Sequence, residues 1–356
     1  MKRIIVCADG TWNLRDQVDK ESGKRRPTNV TKLARAVLPR AKDGTDQVVF
    51  YHDGVGTQGG MDKLTGGAFG AGIEDNIRTL YRFIAYTYVP GDELYLFGFS
   101  RGAFTVRSLV GFLGLVGLLQ KDDDYYLPEL YACYERGQRP GSAAWTKAFH
   151  NVKDHQPAPP IRMVGVWDTV GALGAPGLLG QMFNGNKYQY HAIGLTPEVA
   201  NAYQALSIDE RRKAFLPSLW QRPAGWAGDL IQAWFSGVHS NVGGGYRPDG
   251  LANEALHWMI EQAETLGLEF DPGYLEHFRP CFNSTLHDSM STAYKVMGRV
   301  QRAIGESLTH GECIHQSALD RLGLASCNYA PASLPHAMAT RLPVVNTRRI
   351  ARGVPC

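Results

Sequence analysis

The chain of 356 residues has room for one large domain or two ordinary ones at about 150 residues each, which excludes a peptide or a disulfide-stapled mini-scaffold. Hydrophobic residues make up 44% and charged residues 20%, a globular balance far from that of chains that stay disordered. Lys+Arg 37 against Asp+Glu 34 leaves +3. The basic residues are scattered apart from Lys24 to Arg26 and Arg211 to Lys213, so the basic stripe of a nucleic-acid binder is absent and no nucleic-acid partner is expected.

At the N-terminus, the apolar run after Lys2 and Arg3 is too short for the h-region of a signal peptide and reads as a strand over Arg3–Ala8. Further strands are expected at Gln47–Tyr51, Glu93–Gly98, Ile161–Val166 and Ala233–Val238. Each is short, mostly apolar and followed by turn residues, as in strands buried on both faces. Ile73, Ile77, Leu80, Ile84 and Tyr88 recur at helical spacing behind Glu74 and Asp75, which predicts an amphipathic helix with acidic residues at its N-terminus. Ala103 to Leu119 is apolar nearly all round, as in a helix sandwiched in a core. The longest apolar stretch, Leu109 to Leu119, falls well short of a membrane span. Gln156 to Pro160 reads as a linker. Gly171 to Gln232 fits no simple β/α repeat and is expected to be a cap insertion at about 171–232. The six cysteines form no C-x-x-C pair, so a reducing cytosol is the default compartment.

This alternation predicts an α/β fold: a mainly parallel sheet with helices on both faces. At its centre, Gly98-Phe99-Ser100-Arg101-Gly102 is a G-x-S-x-G motif between a β run and an apolar helix. That context puts a serine on a sharp turn with its Oγ at the C-terminal edge of the sheet. A serine nucleophile needs a base and an orienting acid, in the chain order Ser, Asp/Glu, His for this architecture. Asp168 and His239 each stand just past an expected strand, on the edge where open α/β sheets bind ligands. The candidate triad is therefore Ser100, Asp168 and His239. His287, beside Asp288, and His310 are rival bases, whereas His52, His191 and His315 lack a comparable strand-end setting.

An oxyanion hole needs two backbone N–H groups. Arg101 follows the nucleophile and supplies the first; Gly10 or Thr11, after the first strand, is the candidate for the second. Asp9 and Asp53 stand before glycines at strand ends and are expected to anchor loops by accepting N–H bonds. An aspartyl-nucleophile phosphatase would need a further Asp where Cys7 stands. Two other readings remain open. Asp9, Asp53, Asp168 and His239 could hold a metal for hydrolysis, although no H-x-x-x-H or D-x-D spacing supports it. A binding module could also use the same cleft without catalysis. The glycine runs at 54–56 and 66–70 lack a phosphate-loop signature.

With these residues in view, the chain resembles the α/β-hydrolase-domain family that includes the type VI secretion phospholipase effectors. The matching segments are Asp9-Gly10-Thr11-Trp12-Asn13, Asp53-Gly54-Val55-Gly56-Thr57, Gly98 to Ala103, Trp167-Asp168-Thr169-Val170-Gly171, Ser207-Ile208-Asp209-Glu210-Arg211-Arg212, and Phe235 to Tyr246. They cover about residues 1–300 in the family's order. The resemblance implies hydrolysis of carboxylic esters of lipid-like substrates through Ser100, Asp168 and His239, without a cofactor. The expected organisation is a catalytic domain over 1–285 and a C-terminal appendage over 286–356 packed on it. Effector members carry a further membrane-engaging region, so a soluble esterase or lipase stands beside a bilayer phospholipase. Cytoplasmic residence, signal-less export and peripheral membrane contact all fit this reading.

Overall fold

Alternate residues of the first strand serve two different cores. In the computed structural model, which describes residues 1–10, 13, 16–18, 23–54, 66–171, 194–306 and 310–348, Ile4, Val6 and Ala8 pack into one apolar cluster while Ile5 and Cys7 pack into another. The pleat sends successive side chains to opposite faces, so a strand covered on both sides must be apolar throughout.

In chain order the principal elements are β1 (Lys2–Ala8), α1 (Asn29–Ala36), β2 (Asp46–His52), α2 (Gly66–Thr87), β3 (Glu93–Phe99), α3 (Arg101–Val116), the short β4 (Leu118–Leu119), α4 (Leu127–Glu135), α5 (Ala143–Phe149), the short β5 (His155–Gln156), β6 (Ile161–Trp167), β7 (Asn201–Ser207), β8 (Asp229–Phe235), α6 (His239–Gly243), α7 (Gly250–Thr265), β9 (Glu312–His315) and β10 (Val344–Val345). The face receiving Ile4 is covered by α2, α3 and α4, through residues such as Ile77, Leu80, Phe104, Leu109 and Leu130. The other face is covered by α1 and α7, through Leu33, Leu256 and Met259. Thr28 caps α1 by accepting the Thr31 N–H, which satisfies one of the donors that a helix start leaves open.

The main sheet has eight strands in the order β10-β9-β8-β7-β6-β3-β1-β2, every pairing parallel. After β2 the chain returns past β1 to β3 and then builds outward on that side. The order therefore reverses at β1 and β3, and the crevice beyond their C-terminal ends is where such sheets hold ligands. Register aligns the functional positions along that edge: Ala8 pairs with Gly98, Phe99 with Trp167, Trp167 with Ala205, and Ser207 with Phe235.

Several expectations are corrected. The cap at about 171–232 is not one insertion, because Asn201–Ser207 is a central strand between β6 and β8; residues 172–193 lie outside the described residues. The strand expected at Ala233–Val238 runs instead over Asp229–Phe235. It stops where Gly237 takes φ 113 and Val238 caps α6. The stretch after 285 is more than an appendage, since β9 and β10 extend the sheet itself. Cys7, Cys133, Cys313 and Cys327 are free thiols, whereas Cys281 is disulfide-bonded, which cysteine spacing alone does not announce.

Candidate active site

Ser100 occupies the turn between β3 and α3 with φ 57 and ψ −121, a left-handed backbone that costs a non-glycine residue about 1–3 kcal/mol. The surroundings enforce it. A Cβ at Gly98 would sit 2.6 Å from the Gly102 carbonyl oxygen, and one at Gly102 would sit 2.2 Å from that of Ala8. Strand and helix can approach this closely only because both flanking residues lack a side chain. The Ser100 N–H donates to the Trp167 carbonyl at 3.0 Å, tying the turn to the end of β6.

The next residue of that strand end is Asp168, also left-handed at φ 40, with its N–H donating to the Ala205 carbonyl at 2.7 Å. Its carboxylate is fully buried. It accepts from the Ser207 N–H at 3.0 Å and the Ser207 hydroxyl at 3.1 Å. Arg302 grips both oxygens, Nη1 at 2.5 Å and Nη2 at 3.0 Å. Burial disfavours the charged carboxylate, but the Arg302 charge and the hydrogen bond to His239 outweigh it and hold the group well below the usual carboxylate range.

His239 opens α6 and closes the constellation. Its Nδ1 lies 2.6 Å from Asp168 Oδ2 and its Nε2 lies 2.8 Å from Ser100 Oγ. An ionised carboxylate can only accept, so Nδ1 carries the proton and Nε2 offers its lone pair to the serine hydroxyl. Burial lowers the affinity of this imidazole for a second proton; Asp168 opposes that shift only in part, and Arg212 adds to it. The ring rests between Phe99, at 4.6 Å between centroids, and the edge-on ring of Phe215, at 4.9 Å.

The His239 loop is held by residues whose roles the sequence reading did not identify. Asp209 accepts the Gly237 N–H at 2.6 Å. Glu210 accepts the His239 N–H at 3.2 Å and pairs with Arg212 through both carboxylate oxygens, at 2.9 and 2.8 Å. Burial works against the charge on Glu210, yet Arg212 brings its carboxyl down to about 2. The Arg212 guanidinium in turn lies 3.4 Å from the Phe215 ring centroid. The segment Ser207 to Arg212 was recognised only as a family signature, and its spacing to Asp168 and His239 gives no local clue to these contacts.

Of the other expected residues, Arg101 stands at the first position of α3, where helical N–H groups point out of the N-terminal end. Gly10 lies close to Ser100, for a Cβ there would come 3.1 Å from Ser100 Cβ. Its N–H, however, donates to Asp9 Oδ1 at 2.7 Å, which withdraws it from the expected oxyanion role; Thr11 lies outside the described residues. Asp9 is a buried loop anchor that also accepts from Thr28 Oγ1, Thr31 Oγ1 and the Tyr51 hydroxyl, and burial raises its pKa despite these bonds. Asp53 follows β2, on the far side of β1 from Ser100. The rival histidines are elsewhere: His287 stacks on Tyr246, His310 approaches Glu312 at 3.8 Å, and His315 bonds Ser317 and Thr347. His191 lies outside the described residues. Among the described residues no group of three His, Cys, Asp or Glu side chains is placed to hold a metal ion.

A parallel sheet whose order reverses beside a G-x-S-x-G turn, with Asp and His delivered by later strand ends, is an α/β-hydrolase-type domain. The chain belongs to the Tle1-like family of type VI secretion system phospholipase effectors, whose catalytic-domain model matches residues 2–262. A curated relative, the uncharacterized protein YEL023C of Saccharomyces cerevisiae, is 27% identical over 235 residues, covering 60% of this chain and 32% of that protein. The chain thus matches about a third of that relative's length. Among solved structures, an uncharacterized protein from Pseudomonas aeruginosa aligns with 79% of this chain and 49% of its own, at 18% identity and a TM-score of 0.49. The Tle1 effector bound to the VgrG spike of the type VI secretion system aligns with 69% of this chain and 51% of its own, at 20% identity and a TM-score of 0.38.

Proposed function

We propose that the protein is a serine hydrolase that cleaves carboxylic esters of lipids through Ser100, His239 and Asp168. The observation that carries this reading is the continuous chain from Ser100 Oγ through the imidazole to the Asp168 carboxylate, at 2.8 and 2.6 Å. His239 Nε2 takes the hydroxyl proton as Ser100 Oγ attacks the ester carbonyl, and Asp168 stabilises the imidazolium that forms. The imidazolium then protonates the departing alcohol. Water activated by the same nitrogen attacks the acyl-serine, releasing the fatty acid and returning the proton to Ser100. The Arg101 N–H is one of the two oxyanion donors this reading requires.

Membership in a phospholipase effector family directs the substrate reading to phospholipids. No helix among the described residues is long and apolar enough to cross a membrane. Export by a type VI apparatus, and contact with its spike, belong to the same proposal.

The test is intact-mass labelling with a fluorophosphonate probe on wild type and Ser100→Ala, alongside turnover of p-nitrophenyl esters of several chain lengths with and without EDTA. One adduct, lost in the variant, with EDTA-insensitive turnover is the expected result. No adduct and no turnover overturns the reading, and EDTA-sensitive turnover without an adduct replaces it with metal-dependent hydrolysis.

A further inference from the structure

We infer that Arg302 is a positioning residue of the active site: its guanidinium sets the plane of the Asp168 carboxylate against His239 and ties the Phe215 loop to the same point. The inference rests on the serine-hydrolase reading above. Arg302 lies beyond residue 262, where the catalytic-domain match ends, so a part of the chain outside that match completes the site.

The geometry is that of a fork on a fork. Nη1 meets Oδ1 at 2.5 Å and Nη2 meets Oδ2 at 3.0 Å, with both side chains fully buried. The same nitrogens also donate outward, Nη1 to the Ser207 carbonyl at 2.9 Å and Nη2 to the Phe215 carbonyl at 2.6 Å. One planar group therefore holds the end of β6, the end of β7 and the loop whose aromatic ring packs on His239. A guanidinium can do this because its donors are fixed in a plane; an ammonium supplies the charge without the fork.

Arg302 is itself held on both sides. Before it, the Val300 N–H donates to the Arg211 carbonyl at 2.9 Å and the Lys213 N–H to the Gly298 carbonyl at 3.2 Å. After it, Ile304 packs with Leu206, Ile208 and Trp234, and the Gly305 N–H donates to Glu312 Oε2 at 2.9 Å. The segment that carries the arginine is thus fixed by backbone bonds before it and by packing and a hydrogen bond after it.

Charge adds a second effect. The charged groups facing His239 are Asp168, Glu210 and Arg212, and Arg302 acts through Asp168. With Arg302 present, Asp168 is a compensated carboxylate that orients the imidazole without strongly favouring its protonation. With Arg302 replaced by a neutral side chain, Asp168 and Glu210 face the ring against Arg212 alone, and the imidazole gains proton affinity.

The experiment uses the full chain as wild type, Arg302→Met and Arg302→Lys, with thermal melting to establish folding. The readouts are fluorophosphonate labelling rate, and kcat and KM on a p-nitrophenyl ester across pH. Folded Arg302→Met is expected to lose about 10–100-fold in kcat and labelling rate, with KM within a few-fold and the acid limb of the pH profile moved upward. Arg302→Lys is expected to return the acid limb toward wild type while recovering only part of kcat. A folded Arg302→Met with wild-type kcat and pH profile overturns the inference. If Arg302→Met does not fold, Arg302→Lys decides: lowered kcat at unchanged KM supports the positioning role, and wild-type kcat overturns it. Absence of an adduct on wild type defeats the serine-hydrolase reading and this inference with it, whereas an adduct on wild type with indifferent Arg302 variants defeats this inference alone.

Discussion

Phe99, the last residue of β3, lies against His239 with ring centroids 4.6 Å apart, so the residue immediately before Ser100 also seats the imidazole that Ser100 meets. Sequence neighbours thereby position two members of the proposed triad. The serine is aimed by the backbone turn and the histidine by the ring that precedes it.

Removing triad members has unequal consequences. Ser100→Ala is expected to lower kcat by about 10⁴–10⁶-fold with little change in melting temperature, since the hydroxyl's described side-chain bond is to His239. Asp168→Asn is expected to lose about 10⁴-fold and also to destabilise, because it leaves the buried Arg302 without its anion. Steady-state kinetics and melting curves on the two variants separate these effects; an Asp168→Asn protein as stable as wild type would contradict the second.

The pH dependence has a definite sign. Burial lowers the His239 pKa in the folded protein, so the base stays neutral below the ordinary value of about 6.5, and kcat/KM is expected to hold to a lower pH than an exposed histidine allows. Stability moves the other way. Between about 6.5 and the lower folded value, the unfolded chain takes up a proton that the folded one refuses, so stability falls as pH falls. The Asp168 contribution, from a carboxyl held below about 3.9, is present above that value and lost as pH drops through the folded pKa. Denaturant titrations from pH 8 to 3 on wild type and His239→Gln check the first window, since the variant should lack that slope.

Gly102→Ala is expected to destabilise by at least about 1–3 kcal/mol and to abolish labelling, because its Cβ would stand 2.2 Å from the Ala8 carbonyl oxygen, a backbone atom with no room to yield. Melting temperature and fluorophosphonate labelling report the two losses. Normal labelling at normal stability would mean that the turn does not require the close approach described.

Away from the site, Lys32 is fully buried against Asp249 at 3.0 Å, Asn253 at 2.7 Å and the Phe278 ring. Burial lowers its pKa to about 8, with Asp249 opposing the shift. Across the window from about 8 up to the ordinary 10.4 the unfolded chain binds the proton more strongly, so this group makes stability rise with pH. Comparing Lys32→Met with wild type in chemical denaturation at pH 7.5 and 10 isolates the contribution, and equal slopes would refute it.

The sequence made the centre of the fold legible and left its later part obscure. The strands at Arg3, Glu93 and Ile161 announce themselves because burial on both faces demands nearly unbroken apolar runs, and the serine turn because its glycines are sterically required. β7 was missed because Gln204 interrupts its apolar pattern. That side chain is buried nonetheless, satisfied by Gln232, Ser218 and Thr169, partners that are invisible without the fold. Asp168 and His239 could be named from strand-end position. Ser207, Glu210 and Arg302 could not, since a buried polar or charged side chain looks like any surface one until its partner arrives from another part of the chain. The short edge strands β9 and β10 gave too little pattern to read.

The span of the site along the chain has a consequence for how the protein comes into being. Ser100 and His239 are separated by 139 positions, and Asp168 and Arg302 by 134. During synthesis from the N-terminus, the Ser100 turn can form while His239 is still untranslated, and the arginine beside Asp168 emerges later still. A ribosome-bound fragment ending before residue 239 holds Ser100 without the imidazole that its hydroxyl meets in the full chain, so the constellation assembles only after most of the chain has been made.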